Sequence, residues 1–247
     1  MKINNQDILK LKPVAVIFDL DNTLYDYERA HNASIKAVCN KVIKKLNLTE
    51  AQFYQAFKEA KKQIKETLGE TASSHSRLLY FQRMLEIIGL RSQVLMALEF
   101  EQTYWNTFLN TAEIYHDAKE FLDDLRIAGI QTALLTDLTA QIQFRKISYW
   151  GLDRYFDNIV TSEEAGTEKP HRKGFELVMK KLGNPVGQGV IWMVGDNLEK
   201  DIAGAKTALN CYTILKQTNA NYNSSQIVPD AEFNEFMDIR ACLKSFC

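Results

Sequence analysis

The sequence lacks the features that would direct it to a membrane, a nucleic acid or a secretory compartment. Its 247 residues contain no uninterrupted apolar run of about 18 residues, which a membrane-spanning helix would need. The opening segment MKINNQDILKLKP has no apolar stretch of signal-peptide length. Lys and Arg number 30 against 31 Asp and Glu, so no general attraction to nucleic acid polymers or anionic membranes arises. We therefore expect a soluble, cytoplasmic protein.

Cysteine pairs and the common nucleotide-binding motifs are also missing. The four cysteines form no CxxC pair and have no His at zinc-finger spacing, so we expect reduced thiols. They are Cys39, Cys211, Cys242 and Cys247. GxxxxGK[ST] is absent and no glycine cluster matches GxGxxG, which argues against a P-loop hydrolase and a dinucleotide site. What is present is 46% hydrophobic residues, enough to fill the core of one large or two modest domains.

Short apolar segments alternate with amphipathic ones along most of the chain. The predicted strands are VAVIF (14–18), IQTALL (130–135), NIVT (158–161), VIWMV (190–194) and CYTIL (211–215). Helices are predicted over 117–128, 139–149, 171–182 and 199–208, with a last helix over 232–244 after a polar surface connection at 216–230. Such alternation favours an α/β fold with a doubly wound parallel sheet covered on both faces.

The segment between the first two strands breaks this alternation. Apolar residues from Ile35 to Leu46 recur at helical spacing, and further helices are predicted at 49–67, 76–88 and 92–110. An insertion of this length exceeds what a parallel crossover needs. We therefore expect a core of residues 1–26 and 113–247 with an all-helical domain, 27–112, inserted after the first strand.

Polar side chains follow four of the predicted strands, at the edge where an open parallel sheet binds its ligands. They are Asp19 and Asp21 after the first strand, Thr136 and Asp137 after the second, Lys169 after the third, and Asp196 and Asp201 after the fourth. Close carboxylates repel each other unless a cation lies between them, and magnesium prefers carboxylate and phosphate oxygens. The pattern therefore predicts a Mg²⁺ site, with Asp19 and Asp196 as ligands, that receives a phosphate.

The same residues suit phosphoryl transfer. The hydroxyl of Thr136, nearby backbone N–H groups and the ammonium of Lys169 can neutralise phosphate oxygens. Asp19 is the predicted nucleophile and forms an aspartyl-phosphate. Asp21 is the predicted general acid and base, provided that its neighbours raise its pKa.

The ordered set DLDNT, the Thr of LLTD, the Lys of EKP, and GDNLEKD resembles the four motifs of the haloacid dehalogenase-like hydrolase superfamily. The resemblance spans residues 19–201 and is closest to its helical-cap phosphatases, similar to pyrimidine 5'-nucleotidases and N-acylneuraminate-9-phosphatases. It implies a Rossmann-like core, a required Mg²⁺, a mobile helical cap, and the main-chain carbonyl of Asp21 as a further metal ligand.

The match is not complete at every position. Family members often carry Asn or Ser where this chain has Asp137. If its carboxylate points away, only its backbone N–H matters for the phosphate; if it points inward, phosphate affinity drops or a second cation is recruited. True dehalogenases usually lack an acid at the position of Asp21, so its presence favours phosphate chemistry. Asp201 is a candidate metal-linked residue, although it could merely stabilise the first turn of its helix. His75 and Arg77, at the start of a predicted cap helix, are candidate substrate-reading residues.

We conclude from the sequence that the chain is a magnesium-dependent phosphoric monoester hydrolase acting on a small phosphomonoester, such as a nucleoside monophosphate or a sugar phosphate. A phosphomutase using the same aspartyl-phosphate is the first alternative. Two non-enzymatic alternatives are a receiver-type switch phosphorylated on Asp, which the long insertion opposes, and a degenerate binding protein. The sequence leaves the oligomeric state open.

Overall fold

The chain forms two compact units. The structure is a computed structural model that describes residues 1–185, 189–218, 227–244 and 246. We call Met1–Tyr25 with Ile114–Cys247 the sheet unit and Asp26–Glu113 the helical unit. Within the described residues, no helix has the length and hydropathy needed to cross a bilayer.

The sheet unit contains, among its described residues, a seven-stranded sheet. The strands are β1 (Lys2–Ile3), β2 (Pro13–Phe18), β3 (Gln131–Thr136), β4 (Asn158–Thr161), β5 (Val190–Gly195), β6 (Tyr212–Lys216) and β7 (Ala231–Phe233). They lie in the order β1-β7-β6-β5-β2-β3-β4. All neighbours pair in parallel except β1 and β7, which pair antiparallel. The predicted α/β fold with a mainly parallel sheet is confirmed.

Helices make up most of the remaining regular structure. In the helical unit they are α1 (Tyr27–Leu46), α2 (Glu50–Leu68), α3 (Arg77–Ile87) and α4 (Val94–Thr111). In the sheet unit they are α5 (His116–Ile127), α6 (Ala140–Tyr149), α7 (Ser162–Ala165), α8 (Arg172–Lys181), α9 (Gly204–Ala208) and α10 (Phe236–Lys244). A π-helical turn, Leu198–Ala203, precedes α9.

The prediction of one helix over 232–244 is wrong at its start. Ala231 and Phe233 are buried and Glu232 between them is half-buried, which is the alternation of a strand. This segment forms β7 and pairs with β6, so α10 begins only at Phe236. The predicted polar connection at 216–230 lies partly outside the described residues, which omit 219–226.

Successive side chains of the central strands point to opposite faces of the sheet. Ile17 of β2 packs on one face, in a cluster that includes Phe175 and Val178 of α8. Phe18, the next residue of β2, contacts Phe121 of α5 edge to face on the other, with 6.0 Å between ring centroids. All of these side chains are fully buried, and each contributes about 1.5–3 kcal/mol relative to an exposed position. The carboxyl end of β2 is thereby fixed.

The helical unit has a core of its own. The side chain of Asp26 accepts a hydrogen bond from the backbone N–H of Arg29 and begins α1. Thr49 and Gln52 form a capping box at the start of α2. Aromatic side chains from α2, α3 and α4 fill the interior. They include Phe53, Phe57, Tyr80, Phe81, Phe100, Tyr104, Trp105 and Phe108.

Candidate active site

Three carboxylates meet at one edge of the sheet. Asp19 directly follows β2, Asp196 directly follows β5, and Asp201 lies in the π-helical turn. Because Phe18 and Val194 pair in parallel, β2 and β5 end side by side. One oxygen from each of the three carboxylates lies within 4.8 Å of the others. The structure therefore brings together three of the residues that the sequence singled out.

The ammonium group of Lys169 lies among these acids. It donates hydrogen bonds to Oδ1 of Asp19 at 2.6 Å, to Oδ1 of Asp201 at 2.7 Å, and to the carbonyl of Leu135 at 3.0 Å. Burial alone lowers the pKa of Lys169, but Asp19, Asp201 and Asp137 together raise this pKa well above its usual value. Lys169 is therefore a fixed positive charge in a buried setting.

One lysine does not neutralise the cluster. Burial, together with the neighbouring charges of Asp201 and Asp21, raises the pKa of Asp19 to about 7 even though Lys169 acts to lower it. Burial, followed by the charge of Asp19, raises the pKa of Asp196 to about 8. A hard divalent cation suits such oxygen donors and would restore their ionised form. The residues present therefore fit a magnesium ion.

Thr23 ties two of the acids together and was missed as a site residue, although it is the last letter of DLDNT. Asn22 adopts a left-handed conformation with φ 63°, which turns the chain back after Asp21. The hydroxyl of Thr23 then lies 3.1 Å from Oδ2 of Asp19 and 3.5 Å from Oδ1 of Asp196. Thr23 is fully buried, so its hydroxyl orients the acids instead of meeting solvent.

Asp21 is not among the three carboxylates that meet within 4.8 Å, and it has partners of its own. Lys146, on α6, donates to Oδ1 at 2.9 Å and to Oδ2 at 3.0 Å. The hydroxyl of Tyr25 donates to Oδ1 at 2.5 Å. The side chain of Asp21 is 24% exposed and that of Lys146 only 1%. Lys146 and Tyr25 were also missed from the sequence.

Helix α6 also contacts Thr136, through Gln143. The amide nitrogen of Gln143 lies 2.6 Å from the Thr136 hydroxyl and 2.6 Å from the carbonyl of Asp137. Gln143 and Thr136 are both buried. The sequence contained one signal that could have identified Gln143 and Lys146. They are three residues apart and next to Ile147, so both polar side chains lie on the buried face of an amphipathic helix.

The carboxylate of Asp137 accepts hydrogen bonds from two neighbouring segments of the chain. Its Oδ1 accepts the backbone N–H of Lys169 at 3.0 Å, and its Oδ2 accepts the ammonium of Lys200 at 2.9 Å. Lys200 also bonds to Glu168 at 3.0 Å. The Asp137 carboxylate is therefore held by Lys169 and Lys200, which corresponds to the orientation away from the phosphate site. In this orientation only the backbone N–H of Asp137 is left to bind phosphate.

Asp201 joins its own turn to Lys169. Its Oδ2 accepts the backbone N–H of Asn197 at 3.0 Å, while its Oδ1 accepts Lys169. Gly195 permits this approach, because a Cβ there would lie 2.4 Å from Oδ2 of Asp201. Asp201 therefore stabilises its own turn and also contacts Lys169, while a role toward the metal stays a prediction.

The two candidate cap residues lie in the helical unit. Arg77 is 6% exposed, and its guanidinium donates to the hydroxyl of Tyr27 and to the carbonyl of His75. It lies 5.2 Å from the ring centroid of Tyr104. Its Nε has no hydrogen-bond partner within the described part of the chain. A substrate-reading role for His75 and Arg77 stays a prediction.

Comparison with known proteins gives a consistent assignment. The family model for haloacid dehalogenase-like hydrolases matches residues 14–208. Ribulose-1,5-bisphosphate 5-phosphatase of Halopiger xanaduensis is 40% identical over 206 residues, covering 81% of this chain and 83% of that protein. N-acylneuraminate-9-phosphatase of Homo sapiens is 29% identical over 235 residues, covering 94% of each chain. These names confirm the predicted class of enzyme, a phosphatase.

A solved structure shares the fold. The HAD phosphatase from Thermococcus onnurineus superposes with a TM-score of 0.68 at 24% identity, covering 94% of this chain and 98% of that one. Since the family model covers most of the chain, the chain belongs to the haloacid dehalogenase-like hydrolases.

Proposed function

We propose that the protein is a magnesium-dependent phosphatase that hydrolyses a small phosphorylated sugar through an aspartyl-phosphate on Asp19. The observation that carries the proposal is the convergence of Asp19, Asp196 and Lys169 at one sheet edge, which would provide a nucleophile, a cation site and a fixed positive charge. The phosphatase relatives named for ribulose-1,5-bisphosphate and N-acylneuraminate support a sugar phosphate as the substrate.

The carboxylates of Asp19 and Asp196 would hold the magnesium ion, with the main-chain carbonyl of Asp21 as the further ligand that the family resemblance implies. A bound Mg²⁺ supplies charge neutralisation for phosphate oxygens and for the acids themselves. Asp201 accepts the ammonium of Lys169 and the backbone N–H of Asn197, so we assign it to holding Lys169 and this turn.

The chain's residues then divide the two chemical steps between them. One carboxylate oxygen of Asp19 attacks phosphorus, the bond from phosphorus to the sugar oxygen breaks, and the Asp21 carboxyl gives its proton to that oxygen. Asp21, now ionised, takes a proton from the water that attacks phosphorus next. The bond to Asp19 breaks, inorganic phosphate leaves, and the Asp19 carboxylate is restored.

Lys169, the Thr136 hydroxyl and the backbone N–H of Asp137 are the proposed phosphate-binding groups. Lys169 already contacts Asp19, so its charge lies where the transferred group must bind. The helical unit is the proposed cap, which selects the leaving group and excludes water.

The test is a phosphate-release assay with Mg²⁺ on a panel of ribulose 1,5-bisphosphate, N-acylneuraminate 9-phosphate, other sugar phosphates and nucleoside monophosphates. We expect release from a sugar phosphate and a loss of at least about 10³-fold in Asp19→Asn, as when a nucleophile is removed. Absence of release from every phosphoester by the wild-type protein would refute the proposal. Conversion that needs a bisphosphate primer and releases little phosphate would indicate a phosphomutase instead.

A further inference from the structure

Lys146 is a buried lysine beside the proposed acid and base. It lies in the second half of α6, and its side chain is 1% exposed. A lysine is seldom buried so completely unless a specific partner compensates its charge. Asp21 supplies such a partner, because the Lys146 ammonium contacts both oxygens of its carboxylate, at 2.9 and 3.0 Å.

These contacts fix the orientation of the Asp21 carboxylate. Oδ1 accepts two hydrogen bonds, from Tyr25 and from Lys146. Oδ2 accepts one within the described part of the chain, from Lys146. A carboxylate oxygen can accept two hydrogen bonds, so Oδ2 keeps a site for a proton and Oδ1 does not. Since Asp21 remains 24% exposed, a small molecule can reach it.

We propose that Lys146 is a positioning residue for the reaction, holding Asp21 so that Oδ2 is the oxygen that exchanges a proton with the departing sugar oxygen and the attacking water. The inference rests on the proposed function, because it assumes Asp21 as acid and base. It adds that the two-point contact from Lys146 keeps the carboxylate from rotating about its terminal bond, which a single donor would permit.

A purely structural ion pair would behave differently. If Lys146 only stabilised the sheet unit, its loss would lower all turnover alike through the amount of folded enzyme. If it orients the proton donor, its loss matters most where the leaving group needs a proton. Alkoxides of sugars need one, whereas p-nitrophenolate leaves readily without it. General acid catalysis typically accelerates a reaction about 10²- to 10⁴-fold, so a misplaced proton donor should lower the rate substantially.

The experiment compares kcat/KM for the best sugar phosphate of the panel with kcat/KM for p-nitrophenyl phosphate, both with Mg²⁺. The ratio kcat/KM reports the steps through the first bond cleavage, so slow breakdown of the aspartyl-phosphate does not mask the difference. The variants are Lys146→Met, Lys146→Arg and Lys146→Gln. The matched control is Lys119→Met, because Lys119 is a partly buried lysine that donates to the carbonyl of Trp150.

We expect Lys146→Met to lower the sugar phosphate value at least about 10-fold more than the p-nitrophenyl phosphate value, within the range of acid catalysis. Lys146→Arg should recover part of the loss, because a guanidinium keeps two-point contact. Lys119→Met should leave the ratio of the two values unchanged. An equal loss on both substrates, or none, in a folded Lys146→Met would overturn the proposal.

Lys146→Gln covers the case in which Lys146→Met does not fold, since it keeps a polar group and must shift the same ratio. An unchanged ratio in folded Lys146→Gln would then overturn the proposal. Failure of the proposed function would look different, because the wild-type protein would release no phosphate from either substrate.

Discussion

Lys169 donates a 2.6 Å hydrogen bond from its ammonium group to Oδ1 of Asp19, and both side chains are buried. The same ammonium contacts Asp201, so one cation bridges a residue that directly follows a strand and a residue of the π-helical turn. Buried charges held in this way add little net stability but leave a severe imbalance when one partner is removed. The first prediction follows from this asymmetry.

Lys169→Met should destabilise the protein by about 3–5 kcal/mol, the usual cost of removing one partner from a buried ion pair. It should also reduce turnover by at least about 10²-fold, because a fixed charge at the transferred group is lost. Urea unfolding and phosphate release measure the two effects. The double variant Lys169→Met/Asp201→Asn removes one uncompensated charge and should regain part of the stability but none of the activity. Equal stability of Lys169→Met and wild type would contradict this prediction.

The sequence was sufficient for the parts of the fold that repeat a simple pattern. NIVT was predicted as a strand over 158–161, and β4 is Asn158–Thr161. An apolar, β-branched run between polar turns needs no knowledge of its partners to be recognised. β7 was missed because its three residues are stabilised by pairing with β6, and no local pattern reveals a partner that lies elsewhere in the chain.

The same limit applies to the site. Asp19 and Asp196 were found because each directly follows an apolar strand, and strand ends meet at one edge of a sheet. Lys146 and Gln143 lie within a helix whose face toward the sheet is set by the fold. Their polarity resembles that of any exposed helical position until burial is known. The spacing could have raised the question, but only the structure supplies Asp21 and Thr136 as partners.

Magnesium should stabilise the protein as well as activate it. Because burial and mutual repulsion raise the pKa values of Asp19 and Asp196, a cation bound between them offsets a cost that the metal-free protein bears. At 100 times its dissociation constant, a ligand adds about 2.7 kcal/mol. Addition of Mg²⁺ should raise the midpoint temperature of thermal unfolding for the wild type and raise it much less for Asp196→Asn. An equal rise in midpoint temperature for both proteins would show that the ion binds elsewhere. Full activity in the presence of a chelator would contradict the requirement for a metal.

Gly195 should not tolerate a side chain. A Cβ there would lie 2.5 Å from Cβ and Cγ of Asp201 as well as 2.4 Å from its Oδ2, so rotation of the carboxylate alone cannot relieve the overlap. Gly195→Ala should therefore cost about 1–3 kcal/mol and displace the partner of Lys169. In an Asp201→Gly background the same substitution should cost far less, and urea unfolding of the four proteins gives the coupling. Additive costs would show that the overlap is relieved by backbone movement.

The helical unit should lose stability in mild acid through His31. Its ring accepts or donates a 2.7 Å hydrogen bond with Tyr104 and stacks on Tyr27. Burial, followed by the charges of Arg77 and Lys61, lowers the pKa of His31 to about 3. An unfolded chain has a His pKa of about 6.5, so between these values the unfolded state binds the additional proton. The stabilising effect of a neutral His31 is therefore complete above about pH 6.5 and is lost as the pH falls toward 3.

Between pH 7 and pH 5 this loss amounts to at most about 2 kcal/mol, because each unit of pH is worth about 1.4 kcal/mol for one group. The measurement is urea unfolding of wild type and His31→Gln at both pH values, in the presence of Mg²⁺. Subtracting the variant removes the contributions of all other titrating groups that the two proteins share. The difference in unfolding free energy between wild type and variant should shrink on acidification. A difference that grows or stays constant would mean that folded His31 takes up a proton at least as readily as the unfolded chain, and that burial does not keep it neutral.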